Sequence, residues 1–62
     1  MNAGDLFTCT QEAHSIARNT SVAYGLAISE NPEDPAIQRY VDHALESAER
    51  LVQILRGMRA PK

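Results

Sequence analysis

The second half of the chain carries an unbroken row of apolar residues spaced alternately four and three positions apart. This row consists of Ile37, Val41, Ala44, Ala48, Leu51, Leu55 and Met58. Tyr40, Leu45 and Val52 lie beside the row and widen it to a broad apolar face, while polar and charged residues fill the remaining positions. A row with this heptad spacing predicts an amphipathic helix that packs against other helices.

The ends of this helix are marked by residues that usually cap helices. The side chain of Asp34 can accept hydrogen bonds from the first free N–H groups, and Pro35 suits the first helical position because no N–H is needed there. Gly57 suits the end of the helix, where the positive charge of Arg56 is favourable beside the negative pole of the helix dipole. The second helix is therefore predicted over residues 35–57.

A second heptad row, in the first half of the chain, is built mostly of small residues. It consists of Leu6, Cys9, Ala13, Ile16, Thr20, Ala23 and Ala27. This row predicts a helix over residues 6–29. Asp5 is one candidate N-cap, and Thr8 followed three positions later by Gln11 is another, as a capping box. Gly25 and the frequent Ser, Thr and Asn residues are poor helix formers, so we expect packing against other helices to stabilise this helix.

The segment ENPEDPAI, residues 30–37, separates the two rows. Pro35 would remove a hydrogen bond inside a helix, and Pro32 disfavours the helical conformation in the residue before it. Together the prolines predict a turn at residues 30–35 that ends the first helix and starts the second. Because the helices are similar in length and the turn is short, the sequence predicts an all-α fold, an antiparallel helical hairpin.

The whole chain, residues 1–62, is long enough for a single domain, with residues 58–62 as a C-terminal tail. Chains this short bury little surface, and the single cysteine, Cys9, excludes an internal disulfide. The apolar face of the second helix is also wider than one neighbouring helix can cover. We therefore expect two hairpins to form a homodimeric four-helix bundle. The residues predicted for its core seam and dimer interface are Leu6, Cys9, Ala13, Ile16, Ala23, Ala27, Ile37, Val41, Ala44, Leu45, Ala48, Leu51, Val52, Leu55 and Met58.

The charge of the chain is close to balanced: 8 acidic and 6 basic residues give a formal net charge of -2. This balance offers no strong electrostatic attraction for nucleic acid or for an anionic membrane. The first residues, MNAGDLF, have neither the basic segment nor the apolar core of a signal peptide. We expect a soluble cytoplasmic protein of bacterial or phage origin that makes no membrane contact.

The residues that carry chemistry are placed where ordinary packing or solvation explains them. His43 and Glu46 have the spacing of half a carboxylate–histidine metal site, but both lie off the apolar row and are expected to face water. Cys9 lies on a row, where free cysteine packs as a small apolar residue, and His14 is poorly aimed to activate it. We predict no catalytic residue, no metal and no cofactor. An enzyme or metal site built across the dimer interface is an alternative.

The first helix carries few charges for a helix exposed to water. Only Glu12 and Arg18 are charged between residues 6 and 29, which indicates a surface that contacts another protein. We therefore predict a small non-enzymatic protein-binding module, such as a regulator, an inhibitor, an adaptor or a chaperone. The predicted contact residues are Phe7, Gln11, Arg18, Val22, Leu26 and Tyr40.

Binding of RNA or DNA by the dimer is the alternative function. In length and layout the predicted dimer resembles the small RNA-regulating hairpin dimer known as ROP, with which the chain shares no motif. The basic residues available for such a role are Arg39, Arg50, Arg56, Arg59 and Lys62. Binding of this kind weakens steeply with salt, and the acidic net charge counts against it.

Overall fold

The computed structural model describes residues 3–29 and 31–59, which form two α-helices packed side by side as a hairpin. Helix α1 spans Ala3–Ser29 and helix α2 spans Pro35–Met58. The predicted all-α hairpin is thereby confirmed. α1 begins three residues before its predicted start, and α2 ends one residue beyond its predicted end. Neither of the described helices combines the length and the apolar character that crossing a membrane requires.

Asn31 and Asp34 build the turn between the helices with their own side chains. The Oδ1 atom of Asn31 accepts a hydrogen bond from the N–H of Glu33 at 3.1 Å, and its carbonyl oxygen accepts one from the N–H of Asp34 at 2.9 Å. Asp34 occupies the predicted N-cap of α2, because its Oδ1 accepts a hydrogen bond from the N–H of Ala36 at 2.9 Å. Pro35 follows as the first helical residue. These bonds fix where the chain reverses direction.

Hydroxyl groups along α1 donate hydrogen bonds back to the carbonyls of the same helix. Thr8, Thr10 and Thr20 each donate to the carbonyl oxygen four residues earlier, at 3.0, 3.1 and 2.8 Å. Side chains that often compete with helical structure are thus accommodated on α1. Asp5 and Thr8 lie inside the helix, which begins at Ala3, so neither of the predicted N-caps caps it.

Helix α2 continues through Gly57 for one further residue. The N–H of Arg59, the C-cap, donates to the carbonyl oxygen of Arg56 at 3.3 Å. Gly57 does not have the positive φ of a glycine cap and has open space around it, so it does not end the helix as predicted. The rest of the predicted tail, residues 60–62, lies outside the described residues, as does Glu30 in the predicted turn.

The two helices meet along a seam that is rotated from the predicted rows. On α1 the buried and half-buried residues of this seam are Asp5, Cys9, Glu12, Ile16, Asn19, Ala23 and Leu26. On α2 they are Ile37, Tyr40, Ala44, Ser47, Leu51, Ile54 and Met58. The hydroxyl of Ser47 bonds to that of Ser15. Glu12 lies three residues before Ser15 and pairs with Arg50, which lies three residues after Ser47. The helices therefore run antiparallel.

The core inside the hairpin is thin. The buried residues of the described chain are Cys9, Ala23, Ala44 and Ser47, all with small side chains. The large apolar residues that stay exposed are Leu6, Phe7, Val22, Tyr24, Ile28, Val41, Leu45, Val52 and Leu55. Because burial of apolar surface is the main favourable contribution to folding, this hairpin leaves much of its available hydrophobic stabilisation unused.

Candidate binding face

One flank of α2 presents a continuous row of apolar residues to solvent. The row consists of Val41, Leu45, Ala48, Val52 and Leu55, spaced by four, three, four and three residues. Ala48 is half-buried, and the other four residues are 42–56% exposed. This spacing places all of them on one face of the helix, immediately beside the seam with α1.

One flank of α1 is also uncharged, and it is built mainly of small residues. It consists of Leu6, Thr10, Ala13, Ala17, Thr20 and Tyr24, spaced alternately by four and three residues. All six are exposed in the hairpin. The row has the same periodicity as the row on α2. Its central members are small, so side chains project little from this flank between Leu6 and Tyr24.

Both uncharged rows lie on the same side of the hairpin. On α1, helical geometry places Ser15 on the opposite side of the seam from the uncharged row. On α2, it places Arg50 on the opposite side of the seam from the apolar row. Ser47 joins the two: its hydroxyl donates to Ser15 Oγ at 2.9 Å and accepts a hydrogen bond from Arg50 Nη2 at 3.3 Å. Since Ser15 and Arg50 share one side of the hairpin, the two rows share the other. We call the surface formed by the two rows together the uncharged face.

The opposite side of the hairpin is polar and holds the helices in register. Ser47 is 1% exposed, the lowest value among the described residues, and makes both bonds given above. Arg50 Nε also donates to Glu12 Oε2 at 2.9 Å, in an ion pair that crosses between the helices. Buried polar groups favour one alignment because a shifted register leaves them without partners. The polar side therefore determines which residues of α1 and α2 lie at the same height.

The ion pair between Glu12 and Arg50 shifts the acid–base equilibria of both residues. The hydrogen bond from Arg50 lowers the pKa of Glu12 below its ordinary value of 4.5, although partial desolvation opposes this. The same bond raises the pKa of Arg50. The side chain of Glu12 is 16% exposed and that of Arg50 is 58% exposed, so water screens the pair from one end. The contact depends on the charge of Glu12 and weakens in acid.

Four of the residues predicted to contact another protein share one exposed face of α1, and the other two lie in the seam. These residues are Phe7, Gln11, Arg18, Val22, Leu26 and Tyr40. The first four are exposed on α1 and lie outside the uncharged face. The last two are half-buried in the seam between the helices. Contact with another protein stays a prediction for all six.

The residues predicted for the core seam and dimer interface divide into two groups. Buried or half-buried within the hairpin are Cys9, Ile16, Ala23, Ala27, Ile37, Ala44, Ala48, Leu51 and Met58. Exposed are Leu6, Ala13, Val41, Leu45, Val52 and Leu55. Every exposed member belongs to the uncharged face. For this second group, contact within an assembly stays a prediction.

The residues with potential catalytic or metal-binding chemistry lie apart from one another. His43 and Glu46 are exposed on α2, His14 is exposed on α1, and Cys9 is a buried free thiol in the seam. Among the described residues, no group of three or more His, Cys, Asp or Glu side chains is placed to hold a metal ion. The described part of the chain also forms no pocket.

The basic residues predicted for nucleic-acid binding share their surface with acidic ones. Arg50 is engaged by Glu12 on the polar side. Arg39 and Arg56 are exposed on the outer surface of α2, together with the acidic Asp42, Glu46 and Glu49, and Arg59 is exposed directly after the helix. Lys62 lies outside the described residues. The arrangement mixes the two signs of charge on one helix, and nucleic-acid binding stays a prediction.

Sequence reasoning missed the polar contacts across the seam. Two overlapping heptad rows run along α2: the predicted row passes through Val41, and the observed seam passes through Tyr40, Ser47 and Ile54. Counted by apolar content alone, the predicted row scores higher because the observed one contains a serine. Ser47 can be recognised as a seam residue only from its pairing with Ser15, and that pairing becomes visible only once the helices are aligned antiparallel.

No protein-family model, no curated protein and no solved structure matches the chain. The function of the protein is therefore inferred from the surfaces of the hairpin.

Proposed function

We propose that this protein is a small non-enzymatic protein-binding module that acts as a homodimeric helical bundle. The observation that carries the proposal is the uncharged face. Its two rows contain no charged residue, and four large apolar side chains of α2 are about half exposed on it. Exposed apolar surfaces that continue over two elements mark sites of protein contact.

Covering this face would contribute as much as the hairpin's own core. Burying the exposed half of each Val or Leu on α2 is worth about 1 kcal/mol. Four such side chains give about 4 kcal/mol per hairpin, which is comparable to the whole core of a chain this short. Two hairpins packed face to face complete a four-helix bundle, the simplest closed assembly of this kind.

The bundle would leave the outer surface of α1 free for a further protein. Gln11 and Arg18 are exposed and lie outside the uncharged face, so self-association does not cover them. The module would act as a regulator, an inhibitor, an adaptor or a chaperone in the cytoplasm by holding that protein. In this proposal the uncharged face supplies stability, and the outer surface of α1 supplies recognition.

A matched pair of lysine variants tests the proposal. Leu45→Lys places a charge at the centre of the uncharged face, and Gln53→Lys places the same charge on the exposed outer surface of α2. The new lysine at position 45 lies one turn from the acidic Asp42 and Glu49, whereas the one at position 53 lies one turn from Glu49 and two arginines. Local charges on α2 therefore favour Leu45→Lys over its control, so a loss of binding by Leu45→Lys does not come from repulsion within its own helix. Each variant carries an affinity tag and is expressed in the cells that normally produce the chain, beside the untagged chain.

The tagged wild type and the tagged Gln53→Lys variant should each retain both the untagged chain and a different protein in stoichiometric amount. Leu45→Lys should lose the untagged chain. Retention of the untagged chain alone contradicts recognition of a further protein by the outer surface of α1. Equal retention by the two variants, or no stoichiometric polypeptide with any of them, contradicts a protein-binding role for the uncharged face.

A further inference from the structure

We infer that the occupant of the uncharged face is a second copy of this chain, related by a two-fold axis that runs parallel to the helices. In this arrangement α1 of each hairpin lies over α2 of its partner. The inference rests on the proposed function and adds the symmetry of the dimer and the pairs of residues that meet. The size of the face, the matching of side chains across it and the charges at its rim support it.

The uncharged face has the area that a stable dimer needs. The chain measures 48 × 18 × 12 Å and exposes 4809 Å² of surface. A body of these proportions has about a quarter of its surface on each broad side, or about 1,200 Å² here, whereas stable protein–protein interfaces bury about 800 Å² per partner. A second hairpin laid along the first therefore covers an area of the required size without any other element.

The register of the hairpin predicts which residues meet across the dimer. Residues of α1 and α2 lie at the same height when their numbers add up to 62, as they do for Ser15 with Ser47 and for Glu12 with Arg50. A two-fold axis parallel to the helices preserves height, so the same rule applies to α1 and the partner's α2. Ala17 then faces Leu45 of the partner.

The pairs given by this rule combine small residues with large ones. Ala17 receives Leu45 of the partner, and Thr10 receives the partner's Val52. The small side chains of the α1 row thus leave room for the apolar row of the partner's α2, as close packing of helices requires. A two-fold axis perpendicular to the helices would instead place α2 on α2, with large side chains opposed, and α1 on α1, with small ones opposed. That arrangement packs the same residues less evenly.

The charged rim of the face is also compatible with this symmetry. Beside the uncharged rows, the outer positions of α1 are Phe7, His14, Ser21 and Ile28, and those of α2 are Asp42, Glu49 and Arg56. By the same rule of height, allowing one residue, His14 lies near Glu49 of the partner and Phe7 lies near the partner's Arg56. A histidine beside a carboxylate and an aromatic ring beside a guanidinium are both favourable, and no charges of the same sign meet.

Disulfide trapping tests the arrangement. In a Cys9→Ala background, which removes the native thiol, one chain carries Ala17→Cys and another carries Leu45→Cys, and the two are produced together in one cell. A second pair, Thr10→Cys with Val52→Cys, checks the same register with smaller changes in volume. Disulfides require Cβ atoms about 4 Å apart, so only residues that face each other directly become linked. Each single variant produced alone serves as a control.

The outer positions of the helices provide a further control. Gln11→Cys with Gln53→Cys places both thiols on exposed positions outside the uncharged face, and this pair should not become linked. The two reporter pairs should give covalent heterodimers on mild oxidation, and each single variant alone should stay unlinked. Efficient linkage within a single-variant sample, or no linkage of either reporter pair, overturns the inference.

The result also distinguishes failure of the inference from failure of the proposed function. If the reporter pairs stay unlinked while the Leu45→Lys variant still loses a stoichiometric partner, the face binds a protein but not in this arrangement. If the reporter pairs stay unlinked and neither lysine variant changes what is retained, the face binds no protein, and the proposed function fails with the inference.

Discussion

Shortening Leu45 to alanine should weaken the dimer while leaving the hairpin helical. Alanine is the best helix former, and Leu45 is 56% exposed within a single hairpin, so less than half of its burial is lost from the hairpin itself. Complete burial of the three carbon groups that Leu→Ala removes is worth about 2.4 kcal/mol. Slightly more than half of that burial occurs on dimerisation, which gives about 1.3 kcal/mol for each copy.

Two copies of Leu45 enter the interface, so the dimer loses about 2.7 kcal/mol, and its dissociation constant should rise by about 100-fold. Sedimentation equilibrium over a dilution series measures this constant for the wild type and for Leu45→Ala. Gln53→Ala, on the exposed outer surface of α2, is the matched control and should leave the constant unchanged. A change of less than about 3-fold for Leu45→Ala would refute the placement of this residue in the interface.

Three further changes test the hairpin itself, each read as a shift in the free energy of unfolding. Asp34→Ala removes the N-cap of α2 and should cost about 1 kcal/mol, whereas Asp34→Asn, which keeps an acceptor, should cost little. Gly25→Ala should stabilise the chain by about 0.5–1 kcal/mol, because alanine is the better helix former and its methyl group would contact no other atom. A loss of stability would show that another chain approaches Gly25. Because the pKa of Glu12 is lowered in the folded state, its carboxylate stabilises the fold when the pH is above its ordinary pKa of 4.5. This stabilisation is lost as the pH falls through the pKa of Glu12 in the folded state. Acid titration should therefore destabilise the wild type more than Glu12→Gln, and parallel titration curves would contradict the role of the ion pair.

The sequence was sufficient to predict the helices and the turn because their signals are local. Asp34 and Pro35 act through the first turn of α2, and the prolines interrupt any helix regardless of what surrounds them. Gly57 was predicted to end α2, but a glycine has this role only when the chain needs a positive φ, and here the helix runs through it. Local residue preferences therefore gave the existence of each helix more reliably than its last residue.

The rotation of the helices against each other could not be predicted from local signals. Apolar content favours a row through Val41, but the hairpin turns Ser47 inward because its hydroxyl gains partners on α1 and on Arg50. A broad apolar face offers more than one way to pack, and polar contacts between the helices select one of them. The same rotation leaves the exposed large apolar residues of α2 together on the uncharged face, so the candidate site became visible only with the packing.

The mass of the protein in dilute solution tests the central claim most directly. Light scattering after gel filtration at micromolar concentration should give about twice the chain mass of 6.8 kDa for the wild type and for Gln53→Lys, and a smaller mass for Leu45→Lys. A wild-type species of 6.8 kDa that is fully helical and unfolds cooperatively would contradict the claim that this hairpin needs a second chain to cover its uncharged face.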